Sequence, residues 1–302
     1  MEEKMKKTTI VLSLLVLTFA ATLLYAAGSG DLIVTNQLGV GTTTPNYAVD
    51  VVGDVNITGN YRVNGAILQI VTLTGAVSGL TITNDATYPN TMIDVTANAI
   101  GTVVPSGEMS IDCTTSDQAA GDALDTGTLA ASTWYYIWAI YNGTTMAGLA
   151  STSATSPLMP ANYANAAKRL IGVAITDTTA HFKVFAQHGS HWIYDQYQAA
   201  STGTTVQSWT AQNCAAYIPP ISTFGYLQVT QHITSGTSTA SLRKNGSSST
   251  TGHFMGTVSY GGYSSYSVCN DWIVTDSNQR VQLNVTAADT WSLNVLGFEL
   301  NL

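Results

Sequence analysis

The stretch GTTTPNYAVDVVGDVNITGNYRVNG, residues 41–65, alternates apolar and polar side chains with a period of two. From Tyr47 onward the odd positions are apolar or glycine, whereas most even positions carry Asp, Asn, Thr or Arg. This period is typical of β-strands that bury one face. Gly53, Gly59 and Gly65 each adjoin Asp or Asn, and such pairs favour tight hairpin turns. The stretch is therefore predicted to be a series of short strands and turns.

A single apolar face of this size does not stabilise a folded chain alone. Apolar burial contributes ~25 cal/mol per Å², whereas ordering the backbone costs ~1–2 kcal/mol per residue. Several chains around one axis share that face, and the recurring glycines allow their backbones to approach closely. Residues 41–65 therefore predict a homo-oligomer.

The rest of the chain has the same β character. Short apolar runs, among them TMIDVTAN and RLIGVAIT before residue 200 and YLQVTQHI and RVQLNVTA after it, are separated by Gly, Asn, Pro and Thr. Their spacing is typical of antiparallel sandwiches, including jelly rolls. TWYYIWAIYN is apolar on both faces, which predicts a central strand covered on both sides. The chain is predicted to be all-β, with a short shaft followed by one or two antiparallel β-sandwich domains.

Composition gives the predicted division of the chain. A shaft is expected at residues 28–70, a first sandwich at 71–200 and a C-terminal tip sandwich at 201–302. The polar run STGTT at 201–205 favours a boundary there, and a second boundary is expected near residues 69–74.

The first 27 residues have the pattern of an export signal. Lys4, Lys6 and Lys7 precede an apolar run at residues 10–24, and small residues follow near Ala26. The protein is therefore expected to be secreted or held at the cell surface. The alternative is an uncleaved membrane anchor, because the apolar run approaches the ~20 residues that a membrane span needs.

Charge argues against a nucleic-acid partner. The 302 residues include only 9% charged side chains and carry a net charge of −8. Binding to phosphates needs clustered Lys and Arg, and no basic stripe is present in the sequence.

Three cysteines leave two alternatives open. Cys214 and Cys269 can pair in an oxidising compartment and leave Cys113 free, or all three can serve as small buried hydrophobic residues. Their spacing matches no zinc motif.

Two stretches carry a resemblance to a known family. GVGTTTPNYAVDVVGDVNITGNYRVNGA, residues 39–66, resembles the shaft segments of phage tail fibres and related bacterial fibre proteins. Residues 125–177 are similar to a module of phage and prophage tail-fibre proteins. The resemblance implies a trimeric fibre with receptor-binding tip domains. Because phage fibres assemble in the cytoplasm, the export signal favours a cellular, surface or secreted relative that reuses the module.

A tyrosine-rich stretch is the predicted ligand-binding site. YGGYSSYSVCNDW, residues 260–272, is predicted as a loop that combines aromatic, amide and carboxylate side chains. Sugar rings stack on aromatic faces and hydrogen-bond to Asn and Asp, so this composition favours a surface glycan or cell-surface receptor as partner. A β-hairpin with ordinary cross-strand tyrosine pairs is the alternative. The candidate residues are Tyr260, Tyr263, Tyr266, Asn270, Asp271 and Trp272.

Metal binding is a weaker hypothesis. His188, His191 and Asp195, with His181 nearby, offer transition-metal ligands if Gly189 and Ser190 form a turn. Surface histidines at a hairpin tip are the alternative. Calcium is considered because hard cations prefer several loop carboxylates, although the spacing is not that of an EF-hand. The carboxylates concerned are Asp112, Asp117, Asp122 and Asp125.

Catalysis has little support in the sequence. Only Glu108 and Glu299 follow the signal as glutamates, and no G-x-S-x-G, H-E-x-x-H or phosphate-binding motif occurs. The expectation is a non-catalytic fibre-like adhesion protein without a required cofactor. The alternatives are a purely structural fibre component and a polysaccharide-degrading tailspike-like enzyme.

Overall fold

The computed structural model describes residues 73–302, with the exception of residues 118, 165, 205–206 and 260. It also describes four short strands that precede residue 73. Contacts divide the chain into two compact units, Met1–Gln69 and Ile70–Leu302. The predicted export signal at residues 1–27 and most of the predicted shaft lie outside the described residues. The first unit contributes a parallel pair, β1 with β2, and an antiparallel pair, β3 with β4. These strands are β1 (Leu38–Val40), β2 (Val49–Val51), β3 (Arg62–Val63) and β4 (Ala66–Ile67).

The second unit is built from strands, so the predicted all-β class is confirmed. Its described residues contain one short 3₁₀ turn, Ala161–Tyr163, and no helix long and apolar enough to cross a membrane. The first ten strands of this unit are β5 (Val77–Ser78), β6 (Thr81–Asn84), β7 (Met92–Thr96), β8 (Ala99–Ile100), β9 (Met109–Ser116), β10 (Ala123–Leu124), β11 (Trp134–Tyr141), β12 (Met146–Ser151), β13 (Ala167–Ile175) and β14 (Phe185–His188). The last eight are β15 (His191–Gly203), β16 (Gln207–Asn213), β17 (Ser222–Ile233), β18 (Thr237–Lys244), β19 (His253–Ser259), β20 (Ser265–Val274), β21 (Arg280–Val285) and β22 (Thr290–Leu300).

One twelve-stranded sheet runs through the whole second unit. Its strand order is β13-β11-β12-β10-β9-β7-β6-β14-β15-β22-β17-β20. A four-stranded sheet has the order β16-β21-β18-β19, and β5 pairs with β8. Most neighbouring strands of the two larger sheets are antiparallel, and β10 is parallel to both β9 and β12.

The N-terminal half of this unit is centred on β11. This strand pairs with β12 on one side and β13 on the other, and its six inner residues are buried. The prediction for TWYYIWAIYN is therefore confirmed as to burial. Carbonyl groups of β13 accept hydrogen bonds from side chains of β14 and β15. Gln187 Nε2 donates to the Ile171 carbonyl at 2.8 Å, and Trp192 Nε1 donates to the Val173 carbonyl at 2.9 Å.

Strand β15 joins the two halves of the unit. It pairs with β14 on one side and with β22 on the other. The fully buried Trp192 ring stacks on Phe185 (4.7 Å between centroids) and on Phe298 (4.6 Å). The boundary expected at residues 201–205 thus falls at the C-terminal end of this shared strand, whereas the boundary expected near residues 69–74 coincides with the division after Gln69.

The C-terminal half consists of two facing layers. Strands β15, β22, β17 and β20 form one layer, and β16, β21, β18 and β19 form the other. Alternate residues of β17 point between the layers, where Leu227, Val229 and Ile233 are buried. Gln231 is buried with them and is satisfied there, because its Oε1 accepts from Ser238 Oγ at 2.7 Å. Burial on one side only leaves the opposite side of the first layer open.

Candidate ligand-binding face

The outer face is the side of β15, β22, β17 and β20 that points away from the four-stranded sheet. On β17 this face consists of the residues that alternate with the buried ones, namely Tyr226, Gln228, Thr230 and His232. The antiparallel register sets side chains of β20 directly opposite these four residues. The opposite residues are, in the same order, Trp272, Asn270, Val268 and Tyr266.

One end of the outer face carries an aromatic cluster. The Tyr226 and Trp272 rings are stacked, with centroids 4.9 Å apart and planes at 23°. His191 lies edge-on to Trp272 at 5.4 Å. Asn270 Nδ2 donates to the Tyr226 hydroxyl and holds that ring in place. Fixed, partly exposed rings with an adjacent amide suit the apolar and polar sides of a sugar.

Amide and hydroxyl groups occupy the middle of the outer face. Asn294, on β22, donates from Nδ2 to Gln228 Oε1 and to Ser292 Oγ, each at 3.2 Å. The hydroxyls of Thr230 and Ser292 hydrogen-bond to each other. Asn294 is only 2% exposed, and its buried Oδ1 accepts no hydrogen bond from the described residues. The centre of the face therefore holds one acceptor that still lacks a donor.

A cleft of about 410 Å³ lies at the other end of the outer face. His232 and Tyr266 form one side, with their ring centroids 4.5 Å apart and their planes at 34°. Most of the other lining residues are Thr or Ser. The other lining residues are Thr202, Gly203, Thr204, Thr230, Gln231, Thr290, Trp291 and Ser292.

The structure brings only some residues of the predicted tyrosine-rich site together. Tyr266, Asn270 and Trp272 lie together on the outer face, because they are spaced two or four residues apart on β20. Asp271 points to the other side, where its Oδ2 lies 3.0 Å from His253 Nδ1. Tyr263 lies in the preceding loop, 85% exposed. Tyr260 lies outside the described residues.

The expectation of a loop at residues 260–272 was wrong from Ser265 onward, where β20 begins. Sequence reasoning also missed the partners that β17 and β22 supply. Tyr226, Gln228, Thr230 and His232 were visible as the polar half of the alternating run YLQVTQHI, but a single strand does not reveal its neighbour.

The predicted histidine pair does meet. Gly189, with φ +59°, and Ser190 form a two-residue turn, which places His188 and His191 directly opposite each other. Asp195 is four residues further along β15, ~13 Å from His191 by strand geometry. His188 Nδ1 contacts Thr81 Oγ1 at 3.3 Å. Within the described part of the chain, no three His, Cys, Asp or Glu side chains form a group that could hold a metal ion.

The four aspartates considered for calcium each bind nearby groups of the protein. Asp112 Oδ1 accepts from the Thr114 amide. Asp117 Oδ1 accepts from the amides of Ala119 and Ala120, which lowers the pKa of this carboxyl. Burial raises the pKa of Asp122, although a hydrogen bond from the Gly148 amide opposes the shift. Asp125 Oδ2 accepts from Ser151 Oγ at 2.6 Å. These contacts tie turns and strands of the N-terminal half together.

All three cysteines are free thiols, so the pairing of Cys214 with Cys269 is not formed. Cys113 and Cys214 are buried, and burial raises the pKa of Cys214 to about 12. Buried, protonated thiols behave as small hydrophobic residues.

A second cleft, of about 320 Å³, lies beside the turn that follows β13. It differs from the outer face because Asp177, His181, Lys183 and Asp195 all line it. Lys183 Nζ donates to Gln198 Oε1 at 2.9 Å. Asp177 Oδ1 accepts from the Thr179 and His181 amides; burial opposes the resulting shift, yet the pKa of Asp177 is lowered.

No known protein-family model matches the chain, and no curated protein matches it significantly.

Proposed function

We propose that the protein is an exported, non-catalytic, fibre-like adhesion protein that binds a surface carbohydrate through the outer face of its C-terminal half. The observation that carries this proposal is the stacked Tyr226–Trp272 pair fixed by Asn270, next to a row of amides and hydroxyls. Such a surface offers ring stacking and hydrogen bonds together.

We also propose that the C-terminal half is a jelly roll and that three chains associate. Numbered along the chain from β15, the strand orders are 1-8-3-6 and 2-7-4-5, the connectivity of a two-sheet jelly roll. The alternating pattern of residues 41–65 and its resemblance to fibre shafts support the trimer. Phe254 (65% exposed), on the edge strand β19, offers further apolar surface for contacts between chains.

A glycan array tests the carbohydrate proposal on the protein comprising residues 28–302. We expect binding that Trp272→Ala weakens at least tenfold, because the variant removes the fixed stacking platform. Tyr263→Ala is the matched control, since this tyrosine is exposed in the loop before β20 and should leave binding unchanged. Absence of binding to every glycan would refute the proposal.

Two further measurements address the alternatives. Light scattering should give the mass of three chains, and a monomer would remove the fibre interpretation. If Trp272→Ala changes this mass but not glycan binding, the outer face is a contact between chains and the structural-fibre alternative is favoured. Release of reducing sugar from polysaccharide by the purified protein would favour the enzyme.

A further inference from the structure

We infer that the ligand is a linear, uncharged oligosaccharide lying along β17, with one end on the Tyr226–Trp272 pair and the other in the cleft beside His232 and Tyr266. This inference rests on the proposed carbohydrate function and specifies the class of carbohydrate.

Charge is the first argument. Between the aromatic pair and the cleft, the outer face carries the amides of Gln228 and Asn270, the hydroxyls of Thr230 and Ser292 and the apolar side chain of Val268, with the amide of Asn294 buried beneath them. His232 is the only ionisable residue besides tyrosine among the described residues that line the cleft. A uronic or sialic acid chain would bring carboxylates to a surface without Lys or Arg to compensate their lost hydration.

Two acidic side chains lie at the ends of the outer face. Glu299 lies beside His191, beyond the aromatic pair, where its Oε1 accepts from Ser190 Oγ. Asp289 precedes β22, and its Oδ2 accepts from both the amide and the hydroxyl of Thr234. Both carboxylates flank the face at its ends and would repel an acidic chain.

Length is the second argument. Tyr226 and His232 are six residues apart on one strand, so the two aromatic platforms are separated by ~20 Å. Each platform is completed by the residue opposite on β20, Trp272 or Tyr266. A monosaccharide reaches one platform only, whereas a chain of several units reaches both.

The buried Asn294 Oδ1 is the third argument. It lies at the centre of the outer face and lacks a donor among the described residues, and an unsatisfied buried acceptor destabilises the folded state. The partly exposed Gln228 side chain accepts from Nδ2 of the same amide, so a ligand reaches this oxygen only by displacing neighbouring side chains. A polyhydroxylated chain passing over the centre of the face supplies such a donor.

The test compares uncharged and acidic oligosaccharides of one to eight units, by array and then by titration calorimetry of the best uncharged series. We expect uncharged chains to bind, with affinity that rises with length and levels off once the chain spans the ~20 Å between the platforms. Preferential binding of acidic chains, or an affinity independent of length, would overturn the inference. Absence of binding to any oligosaccharide would instead refute the proposed function.

Two variants test where the oligosaccharide lies on the outer face. Tyr266→Ala removes a side chain that is 74% exposed, so folding should be unaffected. We expect it to weaken the longest chains about tenfold and to leave the shortest bound chains unchanged, if those occupy the Trp272 platform. Trp272→Ala should weaken both. Equal losses for short and long chains with Tyr266→Ala would place the whole ligand in the cleft and contradict the spanning mode.

Discussion

Asp276, in the turn between β20 and β21, organises that turn through one carboxylate. Its Oδ1 accepts from the amides of Asn278 and Arg280, and its Oδ2 accepts from Asn245 Nδ2 and Arg280 Nε. Burial alone raises the pKa of Asp276, but these hydrogen bonds outweigh it and lower the pKa to about 2 from an ordinary 3.8. The folded chain therefore stabilises the ionised, carboxylate form of Asp276.

The lowered pKa gives a pH-dependent prediction. Because the folded value lies below the unfolded one, Asp276 stabilises the protein above about pH 4 and loses that contribution as the pH falls from 3.8 to about 2. We expect Asp276→Asn to lower the free energy of unfolding at pH 7 by ~1–3 kcal/mol and to have less effect near pH 2. Urea titrations across this range measure the difference. A loss that stays constant with pH would contradict the role of the carboxylate.

At the same scale, the sequence identified only some of the residues that share the outer face. The composition of residues 260–272 pointed to sugar contacts, and Tyr266, Asn270 and Trp272 do share a surface. Asp271 does not, because residues 265–274 form a strand, in which successive side chains point to opposite faces. The prediction of a loop at residues 260–272 carried no such alternation.

Glycines at the ends of strands show how a single element depends on backbone space. Gly101 follows β8 with φ +61°, and a Cβ there would lie 2.6 Å from the Leu73 carbonyl carbon and the Thr74 oxygen. Gly143, between β11 and β12, has φ +98° with nothing within 4 Å of its Cβ position. The two residues share a left-handed conformation and differ in the room around them.

This contrast separates strain from crowding. We expect Gly143→Ala to cost ~1–2 kcal/mol through backbone strain alone. Gly101→Ala should cost ~1–3 kcal/mol more, because main-chain atoms must move to admit the methyl group. Chemical denaturation of both variants measures the difference. Equal losses would show that the segment at Leu73 moves aside without cost.

Individual elements were the best predicted level of the fold. Strands β11, β17 and β21 follow directly from alternating or continuous apolar runs, which are local signals. Pairing was not predictable in the same way. His191 pairs with Glu299 across more than a hundred residues, and no local period encodes such a partner.

On the scale of the molecule, pairing across β15 makes residues 70–302 one compact unit. The polar run at residues 201–205 suggested a linker, but its first residues are the end of β15. Thr202 and Gly203, from this strand end, line the cleft beside His232 and Tyr266.

The shared strand predicts cooperative unfolding. Ile111 on β9 and Leu283 on β21 are fully buried in opposite halves. Ile111→Ala and Leu283→Ala should each cost ~2–5 kcal/mol and shift the same calorimetric transition. Two transitions, each moved by only one variant, would show that the halves unfold independently.

Strand β22 has a further consequence for the order in which the chain folds. It lies between β15 and β17, yet it is the last described strand to leave the ribosome. Until it arrives, β15 and β17 each keep one unpaired edge, and the segment of about ninety residues between β15 and β22 must be closed before their pairing forms. A chain built in this way cannot complete its folding until its last strand pair has been synthesised.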